Sequence, residues 1–183
     1  MIRRWGLIIL YLLALPLHAG ELLTADVEYN DGRYIVEIDM LVDAPVDAVY
    51  RIITDYNNLT RIHENIKESE LIFSLDDRNH RVRVVSEACI TFFCISMTQV
   101  QDVEEKPDHI ISTSVIAEES DFVYAHAFWR ISAKDNRTRI QFNTDLQPKF
   151  WVPPLIGPFL IKKKIYNASV ETILNLEKLA SES

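Results

Sequence analysis

The hydrophobic pattern changes period along the chain, and the changes mark its elements. In "VEYNDGRYIVEIDMLVDAP", Tyr34, Val36, Ile38, Met40 and Val42 share one face of a strand, while Glu37 and Asp39 point away from it. Asp31-Gly32 just before is a tight-turn signal, so the segment predicts a hairpin. After Pro45 the period lengthens. Val46, Val49, Ile52, Ile53 and Tyr56 follow helical spacing, with Asp43 or Ala44 expected as cap and Pro45 as first helical residue. "NNLTRIH" reads as a short second helix or turn. Six strands are predicted next, at 67–75, 80–90, 94–104, 109–117, 122–133 and 137–146, with breaks at "DDRN", "EKPD", "EES" and "KDNR". In the last, Thr138, Ile140, Phe142, Thr144 and Leu146 face inward. Beyond Pro158, residues Ile161, Ile165, Ala168, Thr172, Leu176 and Leu179 form the stripe of a long helix. A sheet with one apolar face and one amphipathic helix to cover it predicts an α+β domain.

Two segments depart from this pattern. "MIRRWGLIILYLLALPLHAG" places Arg3 and Arg4 before an apolar run, Trp5 to Leu17, that ends at the small residues Ala19 and Gly20. That is the layout of a secretory signal peptide, residues 1–19, and the run is short of the ~20 residues a spanning helix needs. An exported protein, most simply periplasmic, is the expectation. The second segment, "FWVPPLIGP", is wholly apolar from Phe150 to Pro158, and Pro153, Pro154 and Pro158 exclude a regular helix or central strand there. Lys162 to Lys164 follow it.

A length of 183 residues suggests one domain, residues 20–183, and 48% hydrophobic residues provide for a core. Loss of residues 1–19 removes two arginines and no acid, taking the net charge from −8 to −10. Such a chain is a poor nucleic-acid binder. With so few glycines there is no phosphate-cradling loop, and no G-x-S-x-G elbow occurs. His63, His80, His109 and His126 lack metal-ligand spacing, so no metal or cofactor is expected. Adjacent Glu118 and Glu119 would face opposite ways on a strand and read as a solvated turn. Asp55-Tyr56 ends the first helix, either as a polar site or as a packed tyrosine beside a locally bonded aspartate. His126, in "YAHAFW", has apolar neighbours on both sides and is either a headgroup-orienting residue or a core histidine.

Cys89 and Cys94, in "CITFFC", are the two cysteines. Export favours a bridge between them. On one continuous strand their Cα atoms would lie roughly 16 Å apart, whereas a disulfide needs about 4.4–6.8 Å. A bridge therefore requires the chain to reverse over Ile90 to Phe93.

"DMLVDAPVDAVYRIITDYNNLTRIHENIKESELI" resembles the opening of the START-like (SRPBCC) superfamily, which includes polyketide cyclase-like and coenzyme Q-binding proteins. "SDFVYAHAFWRI", "TRIQFNTDLQPKFWVPPLIGPFLIKKKI" and "LNLEKLA" resemble an exported bacterial branch of it, over about Val27 to Ala180. The resemblance implies a helix-grip fold, a curved antiparallel sheet of about seven strands wrapped around a long C-terminal helix. It also implies an apolar cavity between sheet and helix that holds a hydrophobic small molecule such as a lipid or quinone. Ser112, Ser114, Ala125 and Ala127, small residues in mid-strand, fit either such a cavity or packing against neighbours such as Trp129. Phe150, Trp151, Val152, Leu155, Ile156 and Phe159 form an apolar lip that gates the cavity or plugs the sheet, with Tyr56, His126 and Trp129 as further ligand contacts. The lysines beyond the lip suit transient contact with a membrane surface. A cyclase or dehydratase acting on an apolar substrate, or an interaction module of the cell envelope, are the alternatives.

Overall fold

Asp31 and Gly32 have φ angles of 48° and 86°. Two successive left-handed residues are what a two-residue hairpin turn needs to match the twist of its strands. They join β1 (Glu21–Asn30) to β2 (Arg33–Val42), which pair antiparallel from end to end. The computed structural model describes residues 20–90, 93–152 and 158–182. The signal-peptide reading of residues 1–19 and the lip residues Leu155 and Ile156 fall outside the described residues.

After β2 come α1 (Val46–Ile53), a short 3-10 turn (Leu59–Arg61) and β3 (Ile66–Ser74). Then follow β4 (Asn79–Ile90), β5 (Phe93–Lys106), β6 (Ile110–Val115), β7 (Phe122–Lys134), β8 (Arg137–Pro148) and α2 (Pro158–Ser181). The strands form one antiparallel sheet in the order β1-β2-β8-β7-β6-β5-β4-β3. Only β2 and β8 are neighbours that are not consecutive in the chain, and their register sets Val36 opposite Thr144, Ile38 opposite Phe142 and Met40 opposite Ile140. The inward stripes read from the sequence therefore line up across the join. The sheet has eight strands rather than about seven, because residues 21–30 pair along the whole of β2 and make a full edge strand.

Smaller departures have local causes. Pro45 is the N-cap of α1, with φ −64° and extended ψ 144°, and the helix begins one residue later. His109 has φ 55° and cannot open β6, which is shorter than expected because Ala117–Glu119 turns away. Glu118 and Glu119 are exposed on that turn. On α2 the buried stripe includes Ser169 and Ile173 as well as Leu176 and Leu179.

The core lies on the inner face, where Val42, Val49, Val82, Ile131, Ile140 and Leu176 are fully buried. Thr138, also fully buried, donates its hydroxyl to the Ala44 carbonyl (2.6 Å) and so ties the start of α1 to β8. The helix α2 packs chiefly on β1, β2 and α1. Its approach is close enough that a Cβ at Gly20 would lie 2.2 Å from Ile173 Cγ2 and 2.7 Å from the Leu41 carbonyl oxygen.

Cys89 and Cys94 face each other across β4 and β5, bridged, with Cα atoms 4.0 Å apart. The chain does reverse between them, and Thr91 and Phe92 at the tip fall outside the described residues. The closed loop is short, so replacing both cysteines by alanine should lower stability by about 2 kcal/mol and leave the fold intact. Urea unfolding checks this: an unchanged midpoint would mean that strand pairing alone holds the hairpin end.

Candidate ligand cavity

Between α2 and the middle of the sheet lies a chamber of about 140 Å³. Strand alternation aims Met40 (β2), Val103 (β5), Ile111 and Thr113 (β6) and Trp129 (β7) into it. Ile53 and Tyr56 close it from the end of α1, and Leu59, Ile62 and Ile66 from the segment that runs into β3. Thr172 and Leu176 of α2 form the opposite wall. The lining is overwhelmingly apolar. Apolar cavities of about 150 Å³ stay dry and admit a benzene-sized molecule.

The chamber opens into a second, shallower space of about 260 Å³ that shares Met40, Ile66, Trp129 and Thr172 with it. Ile38, Phe142, Ile165 and Ala168 continue the apolar surface of this mouth, and His63 and Asn65 stand at its side. Trp129 and Phe142 pack with ring centroids 4.2 Å apart. Chamber and mouth thus form one path, running along α2 from Leu176 to Ile165.

A polar cluster stands at the closed end, assembled from residues far apart in sequence. The Tyr56 hydroxyl donates to Glu105 Oε1 (2.8 Å) and the Tyr50 hydroxyl to Oε2. His80 Nε2 lies 3.3 Å from Glu105 Oε1, and its Nδ1 lies 2.8 Å from Ser74 Oγ. Burial, followed by the hydrogen bonds to the Glu105 carboxylate, pushes both phenols well above the ordinary tyrosine range. Both therefore remain neutral donors. The sequence signal for this cluster was strand alternation, since His80 shares a face with Val82, and Glu105 with Val103.

The Asp55 carboxylate accepts from the side chain of nearby Asn58, while Tyr56 and Trp129 line the chamber. His126 does not. It is exposed on the outer face of β7, because alternation gives the inner face to Ala125 and Ala127. Neither alanine lines the chamber, and Ser112 and Ser114 alternate with the inward Ile111 and Thr113. Of the lip, Phe150 and Val152 are half-buried and Trp151 is 77% exposed. These three line a shallow depression with Tyr29, Gly32 and Tyr34 at the β1–β2 turn, apart from the chamber. Phe159 lies in the first turn of α2, and its side chain is outside those described. Lys162 pairs with Asp26 of β1 at 2.6 Å.

The family described as polyketide cyclase / dehydrase and lipid transport matches residues 42–168. The chain belongs to that family. Solved structures share its fold at low sequence identity. The Zhui aromatase/cyclase from a Streptomyces species superposes with a TM-score of 0.64 at 15% identity, over 82% of this chain and 94% of that one. A START superfamily protein from Mycobacterium smegmatis gives 0.61 at 20%, over 81% and 97%. A STAR-related lipid transfer protein from Xanthomonas axonopodis gives 0.60 at 11%, over 83% and 98%. No curated protein matches the chain. The START-like fold expected from the sequence motifs is therefore the one adopted.

Removing the Tyr56 hydroxyl takes one charged-partner hydrogen bond from Glu105 and leaves Tyr50 and His80 in place. Tyr56→Phe should cost about 1.5–3 kcal/mol of stability, as the loss of a bond to a charged group typically does, without altering the chamber's apolar wall. Thermal unfolding and titration with a neutral apolar dye check both parts. A large loss of dye affinity would mean that the phenol itself touches the ligand.

Proposed function

We propose that the protein binds a hydrophobic small molecule, with an apolar group seated in the chamber and the remainder lying along the mouth. The observation that carries this reading is the chamber itself: a mainly apolar space, with Gln101, Thr113 and Thr172 as its few polar lining residues, that opens toward the surface instead of being packed shut. Protein interiors are ordinarily filled to crystal-like density, so a void of this size costs stability unless something occupies it. Ligand sites of this kind derive affinity from apolar burial and orientation from a few polar groups.

The family covers both cyclases and lipid carriers, and both must first bury an apolar molecule. Binding is thus the step that either activity would require. A lipid or a quinone suits the elongated path, and export with brief contact at a membrane surface belongs to the same proposal, on the strength of residues 1–19 and the lysines after the lip. At the closed end the acidic, phenolic and imidazole groups bond to one another, which favours binding over acid–base chemistry there.

Two substitutions test the reading. Thr172→Phe, at the wall shared by chamber and mouth, should abolish binding of a neutral apolar dye while costing no more than about 1–3 kcal/mol of overpacking strain. Undiminished dye binding would place the ligand elsewhere. Trp151→Ala, at an exposed position, should change stability by less than ~0.5 kcal/mol, so any fall in dye affinity would be a contact at the lip. Native mass spectrometry of the purified protein, followed by denaturation, identifies any ligand that travels with it.

A further inference from the structure

Among the described residues, one buried side-chain polar atom has no hydrogen-bond partner: Nε2 of His63. The His63 side chain is only 10% exposed and stands in the wall of the cavity mouth. Its place is fixed from several sides. The Asn175 side-chain amide on α2 donates to the Ile62 carbonyl (2.9 Å), and the Ile66 amide donates to the His63 carbonyl (3.0 Å). The Asn65 backbone amide donates to His63 Nδ1 at 2.9 Å. That last bond decides the tautomer. Nδ1 accepts, so the proton of the neutral ring sits on Nε2.

A buried N–H without an acceptor is costly, and such groups commonly mark a missing partner. Glu171 Oε2 lies 3.4 Å away on a side chain that is 40% exposed, at ion-pair distance but outside hydrogen-bond geometry. Ser169, also in the mouth, turns its hydroxyl back to the Ile165 carbonyl (2.8 Å) and offers no donor there.

We propose that His63 Nε2–H anchors a neutral carbonyl oxygen carried by the apolar ligand. The inference rests on the binding function above and names the polar end of what is bound. Glu171 supplies the selectivity. With the imidazole neutral the pair is negative, and with it protonated the pair is neutral, so in neither state does it attract an anion. A carboxylate or phosphate placed against Nε2 would face the Glu171 carboxylate, whereas a ketone or ester carbonyl would not.

The test uses two substitutions and three probes of equal carbon number, namely octane, methyl hexyl ketone and octanoate, each competing with the neutral dye N-phenylnaphthylamine. His63→Asn places an amide oxygen near the position of Nδ1, keeping the acceptor for Asn65 while removing the donor. It should weaken the ketone about tenfold, the worth of one hydrogen bond, and leave octane and octanoate unchanged. His63→Gln, whose amide N–H reaches the position of Nε2, should keep most of the ketone affinity. Equal ketone affinity in wild type and His63→Asn overturns the proposal, as does a larger loss for octanoate than for the ketone. Should His63→Asn lose octane as well, His63→Gln decides: retained ketone affinity supports the anchor and lost affinity overturns it. Failure of the wild-type protein to bind dye or octane is a separate result that removes the cavity reading and the anchor together.

Discussion

A helix with its side chains is about 10–12 Å across, whereas eight strands spaced roughly 4.8 Å apart span about 35 Å. That mismatch governs the rest of the molecule. The one long helix, α2, settles on β1 and β2, and α1 with the segment after it reaches the far side of the inner face. Twist curls the sheet toward these covering elements. It does not bring β5, β6 and β7 into full contact with α2, and Val103, Ile111 and Trp129 face the gap that remains. The chamber is thus a product of architecture: too few helices for the sheet, with side chains too small at Thr113 and Thr172 to fill the difference.

Polar groups on this face meet the low-dielectric interior in two ways. At the closed end Glu105 is surrounded by Tyr50, Tyr56 and His80, so a carboxylate that would be expensive alone has a donor for each oxygen. At the mouth His63 has one nitrogen satisfied by the backbone and the other left open. The first arrangement consumes hydrogen-bonding capacity and stabilises the fold. The second keeps a donor in reserve at the point where a ligand would pass.

The fold was legible because its signals are local. The Asp31-Gly32 turn, the alternation of β2 and β8 and the stripe on α2 each specify an element within one continuous stretch of chain, and the cysteine spacing made any bridge conditional on a chain reversal, which β4 and β5 supply. The site was less legible because it is made by register. Glu105 and His80 come together only once β4 pairs with β5 so that His80 stands opposite Val103. His126 misled for the same reason: apolar neighbours in sequence lie on the opposite face of a strand, and its own face is the outer one. The lip misled differently. Its apolar character was plain, but the distance from Tyr34 to Met40 along β2 separates its described start, Phe150 to Val152, from the chamber.

That distance bears on what the lip can do. Six residues of strand, from Tyr34 beside Trp151 to Met40 in the chamber wall, correspond to roughly 20 Å. A ring-sized ligand confined to the chamber could not touch Trp151. A chain with its end in the chamber would first cross the mouth at Phe142 and Ile38, pass His63, and need most of that length to reach the lip. The exposure of Trp151 and the three lysines that follow the lip therefore matter to binding only if the ligand is long, or if it is met there in transit before the chamber takes it up. The same residues would be idle for a compact aromatic substrate. Ligand length, more than ligand polarity, is the property that decides whether the two ends of this inner face act on one molecule.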